Sequence, residues 1–269
     1  MDLGLTGKAV MVVGGTRGMG LSAAEALAAE GARLVLVARD QGRLDDVAKD
    51  LASRFDVDVL GLSADASREG AMEEAVGRAV GDGYDLAGLV VAAGPMNTYG
   101  PVHTQDDAAF DFYYQNIFMV AVRSCRAILP HLQARRDGRI VTLAAYSTRA
   151  QKPSLPHYTA MKSAVVSLTK NISKAYGPDG IRANCVCPGM IETPLLYELI
   201  TREEASERYG CPPDEALYRY TEEEWGMTLS LRRLGRPEEV GELAAFLVSD
   251  RAAYVTGATV NIDGGTDFF

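Results

Sequence analysis

The strongest constraint on the fold is a repeated alternation. Short apolar runs rich in β-branched residues take turns with patterns of helical period. AVMVVGG (9–15) reads as a buried strand, and LSAAEALAAEGA (21–32) as a helix stopped by Gly31. RLVLVAR (33–39) and a helix over 40–55 follow, then DVLGLSAD (58–65) and a helix to about Val80. LAGLVVAAG (86–94), GRIVTLAA (138–145), IRANCVCPG (181–189) and ATVNID (258–263) are further strands. Helices are predicted between them over about 106–134 and 157–176 and over PEEVGELAAFLVSD (237–250). Strands apolar on both faces, each followed by a helix, imply an α/β fold with a parallel sheet covered on two sides. Such sheets bind ligands beyond the carboxyl ends of their strands, so the residues just after each strand carry the functional argument.

Nothing divides the 269 residues: there is no linker, repeat or low-complexity tract, and residues 1–269 read as one domain. One stretch breaks the alternation, LLYELITREEASERYGCPPDEALYRYTEEEWGMTLSL (195–231). It carries nine acidic side chains against three arginines, with Tyr197, Tyr209, Tyr218, Tyr220 and Trp225. It reads as a lid over a substrate pocket, the alternative being a pair of solvated helices with aromatics packed inward. A net charge of −9 argues against a nucleic-acid surface and against a polybasic membrane patch. No segment has the length and apolarity of a signal peptide or a membrane span. Cys125, Cys185, Cys187 and Cys211 lack metal-site spacing and read as small buried thiols, so a cytoplasmic location and no metal are expected.

GGTRGMG follows the first strand, with Gly14, Gly18 and Gly20 spaced so that a helix opens near Gly18. Glycines there let the backbone approach a pyrophosphate, and the helix start offers it unpaired N–H groups. Thr16, Arg17 and Met19 lie in the same turn. Arg17 and Arg39, with Ala38 in place of a carboxylate, favour the 2′-phosphate of NADP(H) over the free hydroxyl of NAD(H). Asp40 complicates this reading unless it caps the next helix. Asp65, beside Ala66, is placed to accept from an adenine amino group or to cap a helix, with Ser67 the competing cap. Ala92, Ala93 and Gly94 close the fourth strand with almost no side chain.

Further along, LAAYSTRAQKPSLPHYTAMKSAV (143–165) sets Tyr158 and Lys162 four apart, on one helical face. With GGTRGMG, Asp65, AAG (92–94), Asn116 in YYQNIF, IRANCVCPGMIET (181–193) and VTGATVNIDGG (255–265), the ordered set resembles the single-domain branch of the short-chain dehydrogenase/reductases over essentially the full length. That resemblance implies a Rossmann-like doubly wound sheet of seven parallel strands ordered 3-2-1-4-5-6-7. It makes Tyr158 the acid/base, Lys162 the ligand of the nicotinamide ribose, and Asn116 the holder of a relay water. It places Pro188, Gly189, Ile191 and Thr193 around the nicotinamide carboxamide. A nearby ammonium and an oxidised nicotinamide are expected to lower the Tyr158 pKa.

Three family motifs are altered. Val13 replaces a threonine, and Val91 and Ala92 replace two asparagines, which bears on stability more than on chemistry. The third is Ala145, where the family has a serine that hydrogen-bonds the substrate oxygen. Loss of such a donor costs roughly 10²–10³ in rate. Ser147 is the first candidate to replace it, because i and i+2 share a face in an extended chain. Tyr146 and Thr148 come next. Arg149, Lys152 and His157 flank this loop and read as solvated charges, the other reading being contact with an acidic substrate group or carrier protein.

The expected function is NADP(H)-dependent interconversion of a ketone and a secondary alcohol on a mid-sized, partly apolar (cyclic or acyl) substrate. Enoyl reduction is disfavoured because relatives that perform it space the tyrosine and lysine farther apart. The alternative is a dinucleotide-binding sensor or assembly subunit with little turnover, which Ala145 alone supports. The resemblance also implies a homotetramer, with helices 106–134 and 157–176 at one interface and VNIDGGTDFF near another.

Overall fold

Val10 and Val12 point to one side of the sheet, Ala9, Met11 and Val13 to the other, and every one of them is buried. That two-sided burial runs through the computed structural model, which describes residues 2–96 and 98–266. The first half alternates β1 (Ala9–Val13), α1 (Gly18–Ala29), β2 (Arg33–Ala38), α2 (Gln41–Phe55), β3 (Val59–Ser63), α3 (Ala71–Gly81) and β4 (Leu86–Val91). Next come α4 (Asp107–Tyr113), α5 (Met119–Arg135), β5 (Gly138–Leu143), α6 (Pro156–Tyr176) and β6 (Ile181–Pro188). The insert forms α7 (Pro194–Tyr197), α8 (Arg202–Tyr209) and α9 (Pro213–Trp225), before α10 (Pro237–Val248) and β7 (Thr259–Ile262). The seven strands are all parallel in the order β3-β2-β1-β4-β5-β6-β7.

Two apolar layers follow from the strand period of two. Met11, Val35, Leu89 and Ile140 pack under α3, α5 and α6, together with Met72, Ile128 and Val165. Val12, Leu36, Val90 and Val141 pack under α1, α2 and α10, together with Leu27, Leu44 and Val240. Each such side chain contributes roughly 1.5–3 kcal/mol by leaving water. The backbones of α1 and α10 come so close that a Cβ at Gly241 would stand 2.4 Å from Ser22 O.

The insert is neither two helices nor fully solvated. Leu196, Ile200, Ala205, Leu217, Met227 and Leu229 form a third apolar cluster with Tyr146, seating it on the carboxyl end of β5. The helix expected over 106–134 is interrupted: Tyr114–Phe118 form a π turn between α4 and α5. Cys125, Cys185 and Cys187 are buried as expected, whereas Cys211 is half-buried. No helix among the described residues is long and apolar enough to cross a membrane. Asp267, Phe268 and Phe269, the end of the expected second interface, lie outside the described residues.

Candidate active site

The glycine turn after β1 is shaped by contacts that only hydrogen fits. Gly14 has φ +84°, and a Cβ there would stand 2.9 Å from Ala93 N. At Gly20 a Cβ would stand 2.1 Å from Gly14 O. Arg17 precedes α1 in extended conformation, without a side-chain cap and with no acidic residue in the first turn. The first N–H groups of α1 therefore have no side-chain acceptor and suit an anion. Thr16 is buried and Met19 half-buried in the same turn, and Arg17 is exposed.

Asp40 caps α2, accepting from Arg43 N at 3.1 Å, which settles its role; Arg39 beside it is exposed. Asp65 is not a helix cap. Its Oδ1 accepts from Ser67 N at 3.0 Å and Ser67 Oγ at 2.7 Å, and α3 starts later, after Gly70. Burial alone would raise the Asp65 carboxyl, but the Ser67 hydrogen bonds and the Arg39 and Arg68 charges outweigh it and hold it below the usual range. Ala66 is buried behind it. The altered family positions cost no backbone pairing. Gly14 N donates to Val37 O at 2.8 Å and Ala92 N to Val13 O at 2.9 Å, while Val13 and Val91 are buried in the core.

Near the carboxyl end of β5, α6 carries Tyr158 and Lys162. Lys162 is 5% exposed, and its Nζ donates to Leu143 O at 2.8 Å. It lies 5.7 Å from the centre of the Tyr158 ring and 3.4 Å from where a Cβ on Gly94 would be, which explains the missing side chain there. Ala93, just before it, packs half-buried on the core. Burial pulls the Lys162 ammonium down to about 8. The Tyr158 hydroxyl moves the opposite way from the sequence expectation. Burial pushes it above its usual range, and the phenols of Tyr146, Tyr113 and Tyr99 and the Cys187 thiol reinforce this. The protein alone therefore keeps this phenol protonated at neutral pH.

The Lys162 shift has a measurable consequence. An unfolded lysine, with its ordinary pKa of 10.5, holds its proton more tightly than Lys162 does in the fold. Stability is therefore lowest below about pH 8 and rises between about 8 and 10.5. Relative to Lys162→Met, the wild-type unfolding free energy should climb by about 3 kcal/mol across that window. Parallel pH curves for the two proteins in urea denaturation would refute it.

Asn116 stands in the π turn, its Nδ2 donating to Phe112 O at 2.9 Å. π turns of this kind recur at functional sites. Just before it, Tyr113 stacks on His157 with ring centres 4.2 Å apart and meets the Tyr158 ring edge-on at 6.2 Å.

His157 is not the solvated charge expected. It is 0% exposed, its Nδ1 accepts from Tyr158 N at 2.8 Å, and its Nε2 pairs with Gln105 Oε1 at 3.0 Å. Those two bonds assign the proton to Nε2 in a neutral ring, and burial lowers its pKa. Lys152 also departs from expectation: it is half-buried and its Nζ donates to Trp225 O at 3.3 Å, tying this loop to the insert. Arg149 is exposed.

Residues Tyr146–Thr148 form a 3-10 turn rather than an extended chain, so the i, i+2 argument for Ser147 does not hold. Ser147 is 1% exposed and its Oγ accepts from Thr159 Oγ1 at 3.1 Å. Thr148 Oγ1 donates to Ala145 O at 2.9 Å. Tyr146 Oη donates to Met227 Sδ at 3.1 Å.

Beyond β6, Gly189 packs so tightly that a Cβ would stand 2.7 Å from Asp263 Cα. Pro188 ends β6, and Ile191 bridges to Gly235. Thr193 lies against the glycine turn, its Cγ2 3.6 Å from a Cβ position on Gly18. The structure thus brings the two cofactor motifs together. Sequence reasoning passed over Glu192, which sits between them. This buried carboxylate accepts from Tyr197 Oη at 2.7 Å and Arg202 Nη1 at 2.5 Å, and Arg202 also pairs with Asp214. It anchors α7, α8 and α9 to the loop carrying Ile191 and Thr193. An acidic residue inside an otherwise apolar motif was its only signal.

A family described as enoyl-(acyl carrier protein) reductase matches residues 13–267. The oxidoreductase UcpA of Escherichia coli (strain K12) is 33% identical over 97% of this chain and 95% of its own length. The 2-(S)-hydroxypropyl-CoM dehydrogenase 3 of Xanthobacter autotrophicus (strain ATCC BAA-1158 / Py2) is 31% identical over 97% of each. Among solved structures, L-sorbose reductase from Gluconobacter frateurii, complexed with NADPH and L-sorbose, superposes with a TM-score of 0.89 at 30% identity over 98% of both chains. With its sheet order, its glycine turn and its Tyr158–Lys162 pair, the chain belongs to the short-chain dehydrogenase/reductase family, a family of oxidoreductases acting on alcohols and ketones.

Proposed function

We propose that this protein interconverts a ketone and a secondary alcohol with NADP(H), on a mid-sized, partly apolar substrate held under the insert as a lid. The observation that carries this reading is the pairing of Tyr158 and Lys162 on α6, with the buried Lys162 Nζ 5.7 Å from the Tyr158 ring centre and fixed by Leu143 O. The chain's own residues fit a dinucleotide. Gly14 and Gly20 admit no side chain, and the start of α1 has no acceptor of its own. Arg17 and Arg39 are exposed at the ribose end, and Asp40 is occupied as a cap, which favours a 2′-phosphate. When bound, the nicotinamide supplies hydride to the carbonyl carbon or takes it from the alcohol.

Tyr158 donates its proton to the carbonyl oxygen in reduction and recovers one in oxidation. Lys162, with a pKa near 8, is mostly charged at neutral pH and stabilises the phenolate left behind. Asn116 leads protons between Lys162 and solvent. Pro188, Gly189, Ile191 and Thr193 hold the carboxamide side. The insert leaves Leu195, Tyr197 and Leu199 exposed, which suits a partly apolar substrate. A homotetramer built on α4 to α6 belongs to the same reading.

Ala145 favours a second reading, a dinucleotide-binding subunit with little turnover. Absorbance at 340 nm separates the two. NADPH should be consumed with at least one of cyclohexanone, acetophenone, ethyl acetoacetate and 2,3-pentanedione, at least about tenfold more efficiently than NADH, and Arg39→Ala should narrow that gap. NADPH binding without consumption would support the second reading; binding of neither dinucleotide would overturn both.

A further inference from the structure

We propose that His157 is a positioning residue for Tyr158: its neutral ring caps the Tyr158 backbone N–H and holds Tyr113 against the Tyr158 ring, and a second proton on the imidazole dismantles that arrangement. The inference rests on the ketone reductase reading above and adds an acid-side control to it.

The first N–H groups of a helix have no partner within it, and a side chain at the N-cap ordinarily accepts from one of them. At the start of α6 the N-cap is Leu155, which has no side-chain acceptor, and Pro156 follows it. Tyr158 is the third residue of that helix, so the orphaned N–H belongs to the acid/base itself. His157 Nδ1 accepts from it at 2.8 Å, in a residue 0% exposed.

A chain of hydrogen bonds fixes the state of the ring. Thr104 Oγ1 donates to Pro101 O at 2.8 Å and so accepts from Gln105 Nε2 at 3.1 Å. That turns Gln105 Oε1, which can only accept, toward His157 Nε2 at 3.0 Å. Nε2 therefore carries the one proton of the neutral ring, and Nδ1 is left to accept. Tyr113 lies 12° from parallel to the imidazole, with ring centres 4.2 Å apart, and meets Tyr158 edge-on. The Tyr113 hydroxyl accepts from Thr98 N at 3.0 Å, so this ring is held at both ends.

A proton on Nδ1 would set one donor against another and break the contact with Tyr158 N. The groups facing the imidazole are Tyr113 and Phe110 of α4, Gln105 before α4, and Tyr158. Asp106, next to Gln105, is turned to Ala109 N at 2.8 Å, and no carboxylate pairs with His157 among the described residues. Burial holds the His157 pKa below the ordinary 6.5, and the positive end of α6 acts in the same direction. The kcat for ketone reduction should therefore fall as pH drops below 6.5. Tyr158 and Lys162 produce no such fall, because acid favours the protonated form that each uses in reduction.

The test is kcat against pH from 5 to 8 for the full-length enzyme with saturating NADPH and the four ketones named above, the fold being checked by circular dichroism at each pH. His157→Phe keeps the stacked ring without the acceptor. It should lower kcat at neutral pH by at least about tenfold, with NADPH affinity unchanged. His157→Asn restores an acceptor near Nδ1 that cannot take up a proton. It should lose less than His157→Phe, and its acid limb should disappear. The deciding variant is Gln105→Glu, a change of nearly equal shape at a half-buried position. Its carboxylate favours the doubly protonated ring, so the acid limb should move up by about one pH unit or more, and adding His157→Asn should cancel the move. A merely structural role for His157 would leave the limb where it was. An acid limb that Gln105→Glu does not move, one that survives in His157→Asn, or none in either wild type or Gln105→Glu overturns the inference alone. A wild type that reduces none of the ketones overturns the parent reading with it.

Discussion

Tyr158→Phe should lower kcat for ketone reduction by about 10³-fold and leave NADPH binding and stability nearly unchanged. The ring remains, so its edge-on contact with Tyr113 and its place on the core persist. The single oxygen removed is the proton donor. No neighbour replaces it: Lys162 Nζ is held by Leu143 O and Tyr146 Oη by Met227 Sδ. Protonation by water would then limit the rate. Steady-state oxidation of NADPH, beside a fluorescence titration of the cofactor, measures both halves of the expectation. A loss smaller than about tenfold would mean that a different group handles the proton.

Gly20→Ala should abolish cofactor binding at micromolar NADPH and destabilise the fold by about 2–3 kcal/mol. Its Cβ would be 2.1 Å from Gly14 O and 3.1 Å from Ala92 Cβ. The first obstacle is backbone in the turn itself, so relief requires α1 to lift from the end of β1. That movement displaces the N–H groups offered to the pyrophosphate. Gly77→Ala provides the contrast. Gly77 lies in α3 with open space around it, and there the same substitution should stabilise by about 1 kcal/mol. Urea denaturation of both variants checks the opposite signs. A Gly20→Ala protein that binds NADPH normally would show that the turn relaxes locally.

The sheet was readable because strands buried on both faces leave uninterrupted apolar runs, as in AVMVV and RLVLVA. The capping role of Asp40 was readable because it is local: acceptor and donor lie three residues apart. What escaped reading depends on distant partners or local geometry. Nothing beside His157 announces that Gln105, 52 positions earlier, will hold its ring, or that Tyr113 will stack on it. The 3-10 turn at Tyr146–Thr148 replaces the extended chain expected there, and a hydroxyl-rich tripeptide does not disclose its own dihedral angles. Tyr158 and Lys162 were legible as a pair. The upward shift of the phenol was not, because it comes from burial and from tyrosines distributed between positions 99 and 146.

The π turn at Tyr114–Phe118 sets the azimuth of everything after it. A regular helix advances about 100° per residue, so one surplus position changes which way each later side chain is aimed. Here the offset lets Tyr113 meet His157 while Val120, Ala121 and Ile128 still face the sheet. Remove one residue from 114–118 and the chain must sacrifice either the aromatic wall beside Tyr158 or the inner layer beneath α5. The length of this stretch is therefore as tightly bound to the architecture as any side chain it carries.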